Sequence, residues 1–133
     1  MTTIAQRVSK QRTARDLETQ VYTVDAAGRT LGRVASEAAS ILLGKKSTSY
    51  VQNAVIPTEV TIINAKKLFL PERRIDGKTY VRYTGYPGGL REASMAQIIE
   101  KKGISEVLYK AVDGMIPRNK LRKDRMKRLT ITD

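Results

Sequence analysis

The chain has 133 residues and carries 25 Lys or Arg residues against 13 Asp or Glu residues, which gives a formal net charge of +12. This length suits one compact domain, and a hydrophobic content of 41% allows an apolar core rather than a disordered basic chain. Cys and His are both absent, which excludes disulfides, the usual zinc sites and catalysis by His or Cys. The excess of positive charge predicts a polyanionic partner, with nucleic acid as the commonest candidate and an anionic membrane surface as the other.

The N-terminal segment is rich in cations and has no continuous apolar core. Before the first acidic residue, Asp16, it carries Arg7, Lys10, Arg12 and Arg15. We therefore do not expect a secretory signal, and no run in the chain approaches the ~20 apolar residues of a membrane span. The segment predicts a basic arm over residues 1–19, disordered in the free protein and able to order on a partner, followed by a single domain over residues 20–133.

The first part of the domain has the pattern of a βαβ unit. Residues 20–25 are rich in β-branched and aromatic side chains, which predicts a strand, and residues 59–64 predict a second one. Between them lies a helical pattern, with Thr30 as the expected N-cap and Gly44 as the expected stop. Its apolar positions are Leu31, Val34, Ala35, Ala38, Ala39 and Leu42. A strand, a helix and a second strand imply parallel pairing with a right-handed crossover.

The segment after the second strand has two interpretations. Residues 67–70 and 79–83 fit a hairpin, because Asp76-Gly77 suits a tight turn between them. Residues 66–70 fit the start of a short helix equally well. The pattern does not separate these alternatives.

Two helices and a strand are expected in the C-terminal part. Ser94 and Gln97 form a capping box for a helix that Gly103 ends, and Ser105 is the expected cap of a further helix. Residues 129–131 fit a last short strand. Together the elements predict an α/β fold with a small, mostly parallel sheet of about four strands, flanked by helices in three layers. A basic N-terminal arm and a basic C-terminal segment complete this prediction.

The densest charge lies near the C-terminus. Seven of the eleven residues from 118 to 128 are basic, and only Asp124 is acidic. An ordinary solvated helix would interleave more acidic residues to offset the repulsion, so the run favours a polyanion-binding surface. The predicted phosphate contacts are Arg118, Lys120, Arg122, Lys123, Arg125, Lys127 and Arg128.

A second candidate surface is the glycine-rich segment over residues 84–91. Its glycines, among them Gly88 and Gly89, let the backbone approach a ligand closely, so that N–H groups can face phosphates. Tyr86 could stack on a base or a ribose, and Arg91 could pair with phosphate. The alternative is an ordinary tight turn whose tyrosines cap the core.

Three further cations lie on the first predicted helix or just after it. Lys45 and Lys46 follow the helix end, where they either compensate the helix dipole or contact phosphate. Arg33 lies on the first turn, away from the apolar face, where it either contacts RNA or pairs with Asp25.

No nucleotide-binding or catalytic motif stands out. The Rossmann and P-loop glycine patterns are missing, and Gly44-Lys45 lies at the end of a helix rather than at its start. Asp25 at the end of the first strand fits a turn residue. We therefore expect no enzyme, no metal site and no cofactor.

In these residues the chain resembles the L13 family of large-subunit ribosomal proteins, bacterial type. The resemblance rests on the order and spacing of short segments over residues 22–130. They are Val24-Asp25-Ala26 with Gly28, Leu31-Gly32-Arg33-Val34-Ala35-Ser36, Gly44-Lys45, Ile63-Asn64-Ala65, Lys78 with Tyr80, Thr84-Gly85-Tyr86 with Gly88-Gly89-Leu90, Ala111-Val112, Gly114-Met115, Pro117, Asn119 and Arg128-Leu129. Some features depart from the family pattern, since Pro57-Thr58-Glu59 replaces the usual Gly-Asp and the usual histidines are absent.

The resemblance implies an α/β fold and a structural protein of the large ribosomal subunit that binds rRNA and supports assembly. The family's loop and basic segment fall on residues 86–91 and 117–128. The implied partners are large-subunit rRNA and neighbouring large-subunit proteins in the cytoplasm, with no membrane, small-molecule substrate or homo-oligomer. Two other functions stay open: a regulatory protein that binds messenger RNA outside the ribosome, and a small enzyme that acts on a nucleotide.

Overall fold

The computed structural model describes residues 18–133 of the chain, so nearly all of the predicted arm over residues 1–19 lies outside the described residues. In chain order the elements are β1 (Gln20–Asp25), α1 (Leu31–Leu42), β2 (Thr58–Ile63), a 3-10 turn (Ala65–Lys67), α2 (Glu72–Gly77), β3 (Thr79–Tyr83), β4 (Leu90–Ser94), α3 (Met95–Lys102), α4 (Ile104–Met115), α5 (Arg122–Met126) and β5 (Leu129–Ile131). Among these helices, none has the length and apolar character needed to cross a membrane.

A parallel sheet in the order β1-β2-β5 organises the domain. The pairing of β1 with β2 across α1 confirms the predicted βαβ unit, with β1 at the predicted residues and β2 beginning one residue earlier. Side chains alternate between the two faces of a sheet, so Val24, Val60 and Ile62 share one face, and all three are buried in the core. The last predicted strand, β5, is confirmed and pairs with β2.

Helix α1 buries the face that its periodicity predicts, together with Ile41. It packs on β1, β2 and α4 and forms the centre of the apolar core. Thr30 occupies the N-cap position, but its side chain makes no capping hydrogen bond. Gly44 follows the helix with a φ of 80°, as the stop signal predicts, and a Cβ there would lie 2.5 Å from Ile56 Cδ1. Glycine is therefore required at this turn both by backbone conformation and by space.

The predicted α/β fold, with a parallel sheet flanked by helices, is confirmed, and only the number of strands differs. The parallel sheet has three strands rather than about four, because β3 and β4 form a separate antiparallel pair. On the face of the sheet away from Val24, Val60 and Ile62, the side chains of Val21, Thr23 and Glu59 are exposed. The physical reason is that these strands alternate apolar and polar residues, whereas strands covered on both faces are apolar throughout.

The hairpin alternative for residues 67–83 does not apply, and the hairpin of the structure lies further along the chain. Asp76 and Gly77 end α2 instead of closing a turn, and β3 pairs with β4 across the glycine-rich segment. Of the two alternatives for residues 66–70, the short helix is closer, because a 3-10 turn spans Ala65–Lys67. The sequence left both alternatives open because two segments could supply the turn, and local pattern does not decide between them.

The two helices after the hairpin determine the shape of the C-terminal half. Ser94 Oγ accepts a hydrogen bond from the Gln97 N–H at 3.3 Å, and Gln97 Oε1 accepts one from the Ser94 N–H at 3.2 Å, which confirms the capping box. Gly103, with a φ of 85°, ends α3 and directly precedes α4, so Ser105 lies inside α4 and does not cap it. Helix α4 turns its apolar side toward α1, and its buried residues are Val107, Leu108 and Val112.

Candidate nucleic-acid interface

The C-terminal basic cluster, defined as the seven cations between residues 118 and 128, is centred on α5. Met126 anchors it in the core with only 4% of its surface exposed. Arg122 also joins it to α4, because its Nε donates to Asp113 Oδ1 at 2.5 Å and its Nη2 donates to Asp113 Oδ2. This bidentate geometry is the strong form of an ion pair. The cluster is therefore held on the folded domain rather than on a free tail.

Four cations of the cluster are exposed and available to an external ligand. Lys127 Nζ lies 3.4 Å from Asp124 Oδ1, a solvent-exposed pair that adds little to stability. The other three, Arg118, Lys120 and Lys123, form no ion pair with any residue from 18 to 133. The exposed four are Arg118, Lys120, Lys123 and Lys127.

Two arginines of the cluster bind the protein's own backbone. Arg125 is only 2% exposed, and its guanidinium donates to the Ala54 carbonyl oxygen at 3.3 Å. Arg128 Nη1 donates to the Ile56 carbonyl oxygen at 3.0 Å. Both therefore attach α5 and its exit to the loop between α1 and β2. The predicted phosphate contact does not fit Arg125 in this structure, because charge density along a sequence cannot distinguish a cation turned inward from one turned outward.

Lys45 and Lys46 lie at the start of that same loop, and both are exposed. Lys46 Nζ is 3.7 Å from Glu37 Oε1 and 5.6 Å from the centre of the Tyr22 ring, so it is partly engaged within the protein. Lys45 forms no ion pair within the described part of the chain. Because Arg125 binds Ala54 in this loop, the tertiary structure connects the loop of the two lysines to the C-terminal basic cluster.

Arg33 does not pair with Asp25. Asp25 Oδ1 instead accepts hydrogen bonds from the Ala27 N–H and from Asn64 Nδ2, both at 3.0 Å. These bonds, the one from Ala27 above all, lower the pKa of Asp25. Asp25 is thus a turn residue, as predicted, and Arg33 remains exposed on the first turn of α1.

The glycine-rich segment forms the tip of the β3–β4 hairpin. Tyr86 is 75% exposed there and Tyr83 is 61% exposed, so neither ring caps the core. The turn is closed by hydrogen bonds from the Thr84 N–H to the Gly89 carbonyl and from the Gly89 N–H to the Tyr86 carbonyl. Gly88 has a φ of 71°, and a Cβ on Gly89 would collide with the Thr84 side chain. The two glycines are therefore needed to build the tip, which presents Tyr86 to solvent.

The structure also reveals a candidate cation, Arg82, that lies outside every run of positive charge in the sequence. Arg82 on β3 lies directly opposite Arg91 on β4. Both are exposed, and cross-strand partners project from the same face of a hairpin. An isolated arginine in a strand gives no signal along the sequence, and the pairing appears only once the register of the hairpin is known.

An ion pair on the outer side of α1 makes stability depend on pH. Arg29 Nη2 donates to Glu37 Oε2 at 2.7 Å, and this hydrogen bond is the main cause of the lowered pKa of Glu37. A carboxylate with a lowered folded-state pKa stabilises the fold above its ordinary pKa, and that contribution is lost as the pH falls through the lowered value. Glu37→Gln should reduce the free energy of unfolding at neutral pH by less than about 1 kcal/mol, because the pair is partly exposed. Urea unfolding should show this difference shrinking toward zero in acid; a difference that stays constant would contradict the assignment.

Within residues 18–133, no group of three or more carboxylates could hold a metal ion. The fold and the surface together define a small basic α/β protein whose exposed cations suit a polyanion.

Comparison with known proteins agrees with this class. The family described as Ribosomal protein L13 matches residues 19–132. Large ribosomal subunit protein uL13 of Syntrophotalea carbinolica is 42% identical over 110 residues, covering 83% of this chain and 77% of that protein. The proteins of the same name from Clostridioides difficile and Rubrobacter xylanophilus are 41% and 39% identical over 116 residues, covering 87% of this chain and 80% of each relative.

The chain therefore belongs to the ribosomal protein L13 family. It is a ribosomal protein with a structural role and not an enzyme, as predicted.

Proposed function

We propose that the chain is a constituent of the large ribosomal subunit, where it binds large-subunit rRNA and supports assembly in the cytoplasm. The names of its relatives assign those proteins to the large subunit. The observation that carries the proposal is the C-terminal basic cluster, whose exposed cations are held on the folded domain by Met126 and the Arg122–Asp113 pair. A rigidly held cation array neutralises phosphates with less loss of side-chain and backbone entropy than a free tail.

The proposed mechanism combines charge neutralisation with recognition of shape. Arg118, Lys120 and Lys123 contact phosphates, and Lys45 adds a further contact from the adjacent loop. At the hairpin tip, the turn allows close approach of the backbone to RNA, and Tyr86 stacks on an unpaired base or a ribose. Arg125 and Arg128 act differently, by holding the loop and α5 in one arrangement.

We further propose that residues 20–133 act as one rRNA-binding domain. In support, a single cluster of buried residues extends from Val24 to Met126 and includes side chains from both halves of the chain. The basic arm over residues 1–19 would add phosphate contacts.

A sucrose gradient of a cell lysate in high salt tests the function directly. The protein, quantified by mass spectrometry, should run with the large subunit in an amount equal to other large-subunit proteins. Small-subunit proteins in the same fractions provide the control for separation. Recovery at the top of the gradient, free of rRNA, would contradict the proposal and favour a role on messenger RNA.

A further inference from the structure

A groove of about 490 Å³ lies between the β3–β4 hairpin and helices α3 and α4. Tyr80, Ala93 and Ile98 contribute its apolar surface, and all three also contact the domain core. Thr84 of the hairpin tip lines the groove as well, so the groove continues from the glycine-rich turn toward α4. It is therefore a feature of the tertiary structure, built from four elements.

The lining of this groove is strongly cationic. Its acidic residues are Glu92 and Glu106, and Glu106 is already engaged by Lys102 at 3.6 Å and by Lys110 at 3.7 Å. The other three cations of the lining, Arg82, Arg91 and Lys101, form no ion pair with residues 18–133. The five cations of the lining are Arg82, Arg91, Lys101, Lys102 and Lys110.

The register of the hairpin adds a second, independent observation. Arg82 and Arg91 are direct cross-strand partners, and like charges in that position destabilise a hairpin. They project from the same face as Tyr80 and Ala93, the face that packs toward the helices. The fold thus places two repelling arginines at a groove that already contains lysines, which is unfavourable unless an anion lies between them.

We propose that this groove binds a stretch of RNA phosphate backbone, as a site separate from the C-terminal basic cluster. The inference rests on the proposed rRNA-binding function and extends it to residues outside any basic run in the sequence. Arg82 and Lys101 hold phosphates from opposite walls, and the partly buried Tyr80 ring contacts ribose. RNA is favoured over an acidic protein segment because the groove is continuous with the hairpin tip, where Tyr86 is exposed for stacking.

The test reverses one cation on each wall of the groove. The double variant Arg82→Glu/Lys101→Glu should bind a large-subunit rRNA transcript at least tenfold more weakly than the wild-type chain in about 0.15 M salt. Its slope of log K against log salt should become less steep by about 1.4, since each of the two lost phosphate contacts on single-stranded RNA accounts for about 0.7. The matched control is Lys67→Glu/Arg73→Glu, which makes the same change in net charge at two exposed positions outside the groove. The control should lose less than about threefold in affinity for the rRNA transcript.

Lysine acetylation of the wild-type chain provides a readout that does not depend on the folding of a variant. Lys101, Lys102 and Lys110 should be protected in the complex with the rRNA transcript, compared with the free protein, and mass spectrometry measures this. Suppose that variants of the C-terminal basic cluster lose rRNA binding, that the groove variant binds as the wild type does, and that the groove lysines of the wild-type chain stay reactive in the complex. The groove proposal is then overturned and the proposed function stands. If the wild-type chain itself does not bind the rRNA transcript, the proposed rRNA-binding function fails. Protection that appears only in intact subunits and not with the transcript would indicate a protein neighbour in the groove and would also overturn the proposal.

Discussion

Reversing Arg118 and Lys123 together to glutamate should weaken binding to large-subunit rRNA by about 100-fold or more. Both side chains are exposed, and neither forms an ion pair within the described residues, so both are free to contact phosphate. Each substitution removes a charge-assisted contact of about 1.5–3 kcal/mol and adds repulsion, and about 1.4 kcal/mol corresponds to tenfold in affinity. A filter-binding titration of the purified chain against an rRNA transcript, repeated at several salt concentrations, measures both the affinity and the salt slope.

The control for this first prediction is again Lys67→Glu/Arg73→Glu, which lowers the net charge equally without touching the cluster. A small effect of this control on rRNA affinity would show that affinity depends on where the charges lie and not on the net charge. Unfolding midpoints should be nearly the same in both variants, since all four sites are on the surface. If the cluster variant retains the affinity and the salt slope of the wild-type chain, the cluster is an ordinary solvated surface and its assignment is wrong.

Arg125→Glu should destabilise the domain by about 3 kcal/mol or more, whether or not RNA is present. The substitution places a carboxylate in a site that is 2% exposed and next to the Ala54 carbonyl oxygen, where it meets repulsion in place of a hydrogen bond. Burial of an ionised group without a partner is among the costliest changes in a protein interior. Urea unfolding of the purified chain, followed by circular dichroism, measures the loss.

Two variants separate this structural role from phosphate binding. Lys123→Glu lies on the same helix but is exposed, so it should change the free energy of unfolding by no more than about 0.5 kcal/mol while reducing rRNA binding. Arg125→Met loses the hydrogen bond to Ala54 but places no carboxylate in the buried site, so it should cost less than Arg125→Glu. If Arg125→Glu folds as stably as the wild type and affects only RNA binding, Arg125 contacts phosphate after all.

The sequence predicted the βαβ unit well. The bounds of β1 agree, and the buried face of α1 is the predicted one, because alternation and the 3.6-residue period arise directly from strand and helix geometry. The capping box at Ser94 and Gln97 was also found correctly, since it needs only four consecutive residues. These features depend on neighbours in the chain.

The candidate site was predictable only in part. The density of charge along the sequence located the C-terminal basic cluster. It predicted phosphate contact for Arg125 and Lys123 alike, although the Arg125 side chain is buried and the Lys123 side chain is exposed. The sequence left a hairpin across Asp76-Gly77 open beside a short helix, because a local turn signal does not show whether the flanking segments pair. Arg82 was missed, since its importance comes from its partner, Arg91, across the hairpin.

The amino-acid sequence by itself predicted a polyanionic partner, and it determined the parallel βαβ unit and the position of the densest charge. Each of these follows from composition, from the local density of charge or from periodicity. None of them requires knowledge of which distant residues come into contact. Only the tertiary structure decided which cations face solvent, how Arg125 joins α5 to the loop at Ala54, and that Arg82 and Lys101 line the same groove. Those outcomes depend on contacts between residues far apart in the chain, whose geometry is determined by the packing of the whole core.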